Sequence, residues 1–264
     1  MLAWVALAIP AAALGFELPG LILPYREAVL SAQIVGRVAQ IHFKDGESVP
    51  ADAIILELDK RAEEIEAERR KIVWQVKTEL QTAEARVQTL KRDYESTKSL
   101  EEKTRSVSKD ELAKKALDLR VAELELEQIT HREEIEKLEY EFAIEQVHRR
   151  EIRAPHAGQI VEIVPKVGEV CEPRQPLVRF VDASQCYFVG NLDSASGVEL
   201  KVSQRLPITV STGTGSISVE GVVEFVSPVI DAATGLRRVK LLIDNKDGRV
   251  TPGSQATLSL QPSK

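Results

Sequence analysis

The chain has 264 residues with a net charge of −6, 43% hydrophobic residues and 29% charged residues. This length allows one large domain or two to three small ones, and the acidic balance argues against a nucleic-acid partner, whose phosphates need a basic face. Aromatic residues make up only 5%, which leaves little for stacking on bases.

Residues 1–24 open on MLAWVALAIPAAALG, which is apolar and carries no charge before Glu17. An apolar run followed by small residues predicts a secretory signal peptide or an N-terminal anchor. Pro10, Glu17 and Pro19 interrupt it before it reaches the ~20 residues of a membrane span. Residues 25–59 predict short strands at Ala28 to Gln33, Gly36 to Phe43 and Ile54 to Leu58, with a turn at Gly46-Glu47.

The middle is different. No Pro lies between Pro50 and Pro155, and no Gly between Gly46 and Gly158. Glu, Lys, Arg, Ala and Leu dominate, so residues 60–151 predict long helix. Ile65, Ile72, Val76, Leu80, Ala83, Val87, Leu90 and Tyr94 step by threes and fours, the seam of a coiled coil. Leu112, Leu119, Ala122, Leu126 and Ile129, then Leu138 and Phe142, continue it, less regularly after Ile129, as a stutter would. TRSVSKDEL interrupts the pattern. Ser108 and Glu111 form a capping box with Asp110 in the first turn. The expectation is two helices, 61–103 and 109–149, each about 60 Å long at 1.5 Å per residue, paired as an antiparallel hairpin.

Residues 152–182 repeat the first pattern. GRVAQIHFKDGESV begins at Gly36 and GQIVEIVPKVGEV at Gly158, an offset of 158 − 36 = 122. The second copy predicts strands at Ile152 to Ala154, Gly158 to Pro165 and Leu177 to Val181, with Gly168-Glu169 at the equivalent turn. Ala32 matches Ala154, Ile41 matches Ile163, and Asp59 matches Asp182 after one inserted residue. A hairpin returns the chain to where it left, so the two copies predict one pseudo-twofold sandwich of two four-stranded sheets. In residues 183–262 Gly and Pro return, and CYFVGNLD, LPITVST, SISVEGVVEFV and RRVKLLIDN predict a small β-barrel. The fold class is therefore mixed α and β and elongated: a split β-sandwich, an inserted antiparallel coiled-coil hairpin, then a barrel.

IRAPHAGQIVEIVPKVGEVCEPRQPLVRFVD resembles the second lipoyl-like half of the periplasmic adaptor family, also called membrane fusion proteins or HlyD-like secretion proteins. Arg153, Ala154, Pro155, Gly158, Ile160 and Gly168 carry the resemblance there, and Ala32, Gly36, Val38, Gly46 and Val49 carry it in the first half. Gly221, Val223, Val226, Pro228 and Asp231, then Asn245, Gly248, Pro252 and Gly253, resemble the family's barrel segment and its closing turn. The similarity covers about residues 28 to 260. It departs at Thr234-Gly235-Leu236, where Thr-Arg-Thr is usual, and at Ser254, where Met is usual. A membrane-proximal domain after the barrel is not expected. Of the family's R-x3-L-x6-S tip only Ser108 carries over, since Thr97 and Glu101 occupy the other positions.

The resemblance implies an adaptor that joins an inner-membrane transporter, of RND, ABC or another class, to an outer-membrane channel for efflux or secretion. It implies a homo-oligomeric ring in the periplasm, associated with the inner membrane, with Arg105, Ser106, Val107 and Ser108 at the hairpin tip contacting the partner. Gly36, Gly46, Gly158, Gly168, Pro252 and Gly253 are expected to be structural turns.

Other chemistry is thin. Cys171 and Cys186 match no zinc or redox spacing; a disulfide and two unrelated thiols both stay open. His42, His131, His148 and His156 are scattered, although His148 and His156 could approach His42 in the folded sandwich, with no carboxylate or Cys at ligand spacing. No enzyme, cofactor or metal is expected. The alternatives are a lipoyl- or biotinyl-type carrier modified at Lys60, in LELDKRAEE, and a purely structural coiled-coil protein.

Overall fold

The computed structural model describes residues 16–193, 196, 199–213 and 215–260. The expected leader falls largely on residues 1–15, which lie outside the described residues. Strand β1 (Phe16–Ser31) comes first, then β2 (Gly36–Ile41), β3 (Ser48–Val49) and β4 (Ile54–Leu58). Helices α1 (Arg61–Gln75), α2 (Thr78–Thr104) and α3 (Lys109–His148) follow. The rest is β5 (Glu151–Arg153), β6 (Gly158–Ile163), β7 (Val170–Cys171), β8 (Pro176–Asp193), β9 (Arg205–Thr212), β10 (Gly215–Val226), β11 (Leu236–Asp244) and β12 (Gln255–Leu260).

The two sequence copies build one sandwich. One sheet is β5-β4-β2-β7, and the other is the inner half of β1 with β8, β6 and β3. Each half lends its short strand to the other sheet: β3 pairs with β6, and β7 with β2. The backbone bonds repeat at the sequence offset. Gly46 N–H donates to Ile160 O at 2.9 Å, as Gly168 N–H does to Val38 O at 2.8 Å. Asp52 N–H reaches Ala154 O at 2.9 Å, and Arg174 N–H reaches Ala32 O at 3.1 Å. Asp52 and Arg174 both sit at positive φ, 64° and 67°. Val38, Ile55, Leu56 and Leu58 from the first copy meet Ile160, Leu177, Val178 and Phe180 from the second in one buried core.

The offset holds unbroken to the end of the sandwich. His42 N–H donates to Ile55 O as Val164 N–H does to Leu177 O, and Leu58 and Phe180 are both fully buried. There is no inserted residue, so Asp59 is equivalent to Val181 rather than to Asp182. The glycines follow from close approach. A Cβ on Gly158 would lie 2.4 Å from Val181 O, and one on Gly36 would lie 3.0 Å from the Leu58 side chain. Gly46 and Gly168 have φ of 84° and 93°, a conformation that only glycine adopts without strain.

The barrel closes through six strands in the order β1-β12-β9-β10-β11-β8, with β8 returning to β1. Its core gathers Ile22, Phe188, Ile208, Leu241 and Leu258. This corrects the expected boundary at residue 24: Phe16 to Leu21 pair with Leu260 to Gln255, and Leu18 and Ile22 are buried in the barrel. The barrel is thus not confined to residues 183–262. Both β1 and β8 run through barrel and sandwich alike, with a register shift between Pro24 and Arg26 at the joint. The closing turn is fixed by Asn245, the one buried polar residue among those described. It donates to Ala183 O and Val250 O and accepts from Val250 N–H. Gly253 N–H donates to Ile22 O at 2.7 Å, which ties the Pro252-Gly253 turn to β1.

Cys171 lies in the sandwich core and Cys186 in the barrel core, both as free thiols; the disulfide left open by the sequence is not formed. Burial raises both thiol pKa values, that of Cys186 to about 11.

The hairpin is present, but its first arm is two helices. The residues turned inward include Ala67, Arg70, Trp74, Lys77, Leu80, Ala83 and Val87. Between Arg70 and Val87 their spacing is four, three, three, three, four, where a regular coiled coil alternates three and four. An unbroken helix would have to overwind, and the chain instead opens at Val76, which is extended with ψ 95°. The single helix expected over 61–103 is corrected accordingly, and α3 runs 40 residues without interruption.

Candidate functional site

The hairpin and the barrel leave the sandwich at opposite ends. At the hairpin base, the Arg150 guanidinium reaches Val35 O at 3.3 Å, just beyond the end of β1 that is farther from the barrel. The barrel joins at the other end, where a cleft is lined by Ser48, Pro50 and Gln159 from the sandwich and Ser184, Lys246 and Thr251 from the barrel.

At the hairpin tip, α2 ends on Arg105, a non-glycine residue in the left-handed conformation with φ 51°, whose N–H donates to Glu101 O. Thr104 Oγ1 donates to Leu100 O at 2.7 Å and lies 2.6 Å from Ser106 Oγ. Ser108 caps α3, and its hydroxyl accepts from Asp110 N–H at 3.2 Å. A simple cap therefore stands where a capping box with Glu111 was expected. Arg105, Ser106 and Ser108 are exposed and Val107 is half-buried. The tip is a well-bonded turn that offers one guanidinium and two hydroxyls to solvent.

The base half of the hairpin inverts the expected seam. Leu80, Ala83, Val87, Leu90 and Tyr94 do face α3, and Leu112, Leu119, Ala122, Leu126 and Ile129 face back. Below Leu80, charged pairs flank the buried Ala67 and Ala143: Glu63 pairs with Arg150, Arg70 with Glu139 and Lys77 with Glu133. Trp74 stacks on Tyr140 at 5.5 Å between them. Ile65, Ile72 and Val76 point to solvent instead, 59%, 56% and 62% exposed. Leu138 and Phe142 also point out, at 63% and 66%. They belong to a second row on α3, Leu117, Val121, Leu124, Gln128, His131, Ile135, Leu138 and Phe142, all exposed. Its steps of four and three define a second, solvent-exposed seam on α3, beside the one that meets α1 and α2. A groove of about 500 Å³ at this level is lined by Glu63, Glu66, Arg70, Ile135, Leu138 and Phe142, among others. The irregularity noted after Ile129 was the sequence signal for these two rows.

The junction of hairpin and sandwich holds Lys60, the residue a carrier protein would modify. Its ammonium contacts Glu151 at 2.5 Å and Glu57 at 2.9 Å, and the side chains of Lys60 and Glu151 are 18% and 6% exposed. Burial pulls the Lys60 pKa down, but the bonds to Glu151 and Glu57 outweigh it and leave it raised. Burial pushes Glu151 up, while Lys60 and Arg153 bring it below its ordinary value. Lys60 stands just before the first residue of α1, makes no side-chain cap and is held by two carboxylates, so it is not the exposed lysine of a tight turn. His42 bonds Glu57 at 2.9 Å, and His156 packs on the Phe180 ring. Among the described residues, no three His, Cys, Asp or Glu side chains gather in a way that could hold a metal.

A profile described as "RND MFP, barrel-sandwich hybrid domain" matches residues 26–182, more than half of the chain, and "CusB-like, beta-barrel domain" matches residues 195–264. The chain belongs to the membrane fusion protein family. An uncharacterized protein of Haemophilus influenzae is 27% identical over 231 residues, covering 87% of this chain and 52% of that protein. The uncharacterized protein YdhJ of Escherichia coli is 21% identical over 183 residues, covering 69% and 58%. This membrane fusion protein thus spans about half the length of the curated relatives it matches. The crystal structure of MacA from Actinobacillus actinomycetemcomitans superposes with a TM-score of 0.65 at 15% identity, over 93% of this chain and 78% of that one. At that identity the likeness is one of fold. No described helix of this membrane fusion protein is long and apolar enough to cross a membrane.

Proposed function

We propose that this chain is a periplasmic adaptor that links an inner-membrane transporter to an outer-membrane channel for efflux or secretion. The observation that carries the reading is the placement of barrel and hairpin at opposite ends of one rigid sandwich. The barrel end faces the transporter, and the rod of about 60 Å carries Arg105, Ser106 and Ser108 toward the channel. The work is geometric.

The second row on α3 supports a ring of copies. Ile65 and Ile72 are exposed on α1, with Val76 exposed just past its end, and Ile135, Leu138 and Phe142 are exposed on α3. The Arg70–Glu139 and Lys77–Glu133 pairs put the two sets at the same height along the hairpin. The α1 edge of one copy then meets the α3 edge of the next. This is a head-to-tail contact, which closes into a ring when the rotation permits.

Photo-crosslinking from residue 105 or 108 in cells, followed by fractionation of the envelope, tests the bridging role. An outer-membrane channel in the crosslinked band supports it, and recovery with cytoplasmic proteins alone overturns it.

A further inference from the structure

The barrel end farthest from the hairpin presents an apolar tip. The loop from Ser227 to Gly235 joins β10 to β11 there, with Val229 70% and Ile230 47% exposed. Val202, on a neighbouring turn whose Ser203 N–H bonds Val223 O, is 63% exposed. Phe16 begins β1 at the same end, paired with Leu260. The loop is held from both sides. Ser227 Oγ donates to Val229 O at 2.7 Å, and Arg237 Nε and its terminal nitrogen donate to Ser227 O at 3.1 and 3.0 Å. The Asp231 carboxylate accepts from Ala233 and Thr234 N–H, at 2.9 and 3.0 Å. Asp231 N–H bonds Leu236 O, and Gly235 N–H bonds Asp231 O. A loop bonded this fully cannot fold its two apolar side chains inward, so covering them requires an outside surface.

The sequence before Phe16 points to that surface. Residues 1–15, MLAWVALAIPAAALG, carry no charge and join the fold at this end. We propose that the barrel end rests on a lipid bilayer, with Val229 and Ile230 entering the interface between headgroups and chains. The contact deepens the inner-membrane placement proposed above and rests on it. At this end the basic Lys201, Arg237 and Arg238 are matched by the acidic Asp193, Glu199 and Asp231, so no surplus of positive charge faces the headgroups; apolar insertion rather than charge holds the contact, and it survives high salt.

The test uses the full chain with Val229→Cys or Lys246→Cys carrying an environment-sensitive fluorophore. The native thiols, Cys171 and Cys186, are buried and stay unlabelled. Vesicles of phosphatidylethanolamine and phosphatidylglycerol are added, with and without brominated chains. The expected result is a blue shift and quenching at position 229, retained in high salt, and neither at position 246 on the sandwich side. Vesicle flotation without quenching at 229 overturns the proposal, because the barrel end then stays off the lipid. Shielding of the 229 label only when a transporter protein is added also overturns it, and assigns the tip to protein. Either failure leaves the tip-crosslinking outcome intact, so the two readings fail separately.

Discussion

Arg70 and Glu139 face each other across the hairpin at a height where a coiled coil would place two apolar side chains. Their neighbours Glu63–Arg150 and Lys77–Glu133 do the same. The lower hairpin is therefore held by half-exposed ion pairs around the Trp74–Tyr140 stack and the buried Ala67 and Ala143, and such pairs contribute only about 0–1 kcal/mol each. Arg70→Leu alone is expected to lower the melting temperature measured by circular dichroism, because Glu139 loses its partner. Arg70→Leu with Glu139→Leu is expected to restore or raise it. A double variant less stable than the single one would show that the ionic seam is required by the fold.

The apolar side chains displaced from that seam predict self-association. Leu138→Glu with Phe142→Glu is expected to leave the helical signal unchanged and to shift the assembly toward monomer in light scattering and native mass spectrometry. The matching change on the α1 edge, Ile72→Glu, is expected to give the same shift. An unchanged mass for both variants would remove the edge-to-edge contact.

Gly158 and Gly36 differ in how tightly they are enclosed. A Cβ at Gly158 meets the backbone Val181 O at 2.4 Å, whereas at Gly36 the nearest atoms are side-chain atoms at 3.0 Å. Gly158→Ala is expected to cost more than about 2 kcal/mol in urea unfolding, and Gly36→Ala about 1 kcal/mol or less. Equal costs would mean that the two halves of the sandwich relax alike.

The Lys60 cluster sets a pH window. Glu57 and Glu151 have pKa values below their ordinary 4.5, so the stability they contribute is present above that value and is lost as pH falls through the folded pKa values. Lys60 is raised above 10.5, so its contribution is present below that value and is lost as pH rises through the folded pKa. Stability from this cluster is expected to stay level across neutral pH and to fall at both extremes. Glu151→Gln should lower the plateau and flatten the acid limb in a series of denaturant melts.

Arg105 separates folding from docking. Its left-handed φ costs a non-glycine residue about 1 kcal/mol, so Arg105→Gly is expected to keep or slightly raise stability. If the guanidinium contacts a channel, the same variant lowers crosslinking of residue 108 to that channel in cells while remaining folded. Unchanged crosslinking in Arg105→Gly would move the docking contact to Ser106 and Ser108.

The sandwich was legible because its signal is local: glycines at fixed spacing mark turns and close approaches. The hairpin's existence was equally legible from the absence of breakers, but its lower seam was not. Periodicity counts apolar side chains, and here Arg70, Lys77 and Glu133 took the inner positions while Ile72 and Phe142 took the outer ones. Which of two rows on one helix faces the partner is a tertiary choice. The break at Val76 was hidden for the same reason, since Ile72, Val76 and Leu80 read as an unbroken helix. Residues 16–24 were misread because Leu18 and Ile22, alternating toward the barrel core, follow directly on an apolar run that resembles a leader. At the tip, Ser108 was identified as a cap, but the left-handed Arg105 had no glycine to announce it.

The pairing of Phe16 with Leu260 joins the first described strand to the last. Everything between them must be synthesised before the ring of six strands can shut, and contacts of such long sequence separation form slowly. An open barrel with an unpaired β1 edge is the form in which a nascent chain would wait. If the chain is exported unfolded, that late closure keeps it threadable until its last strand has crossed.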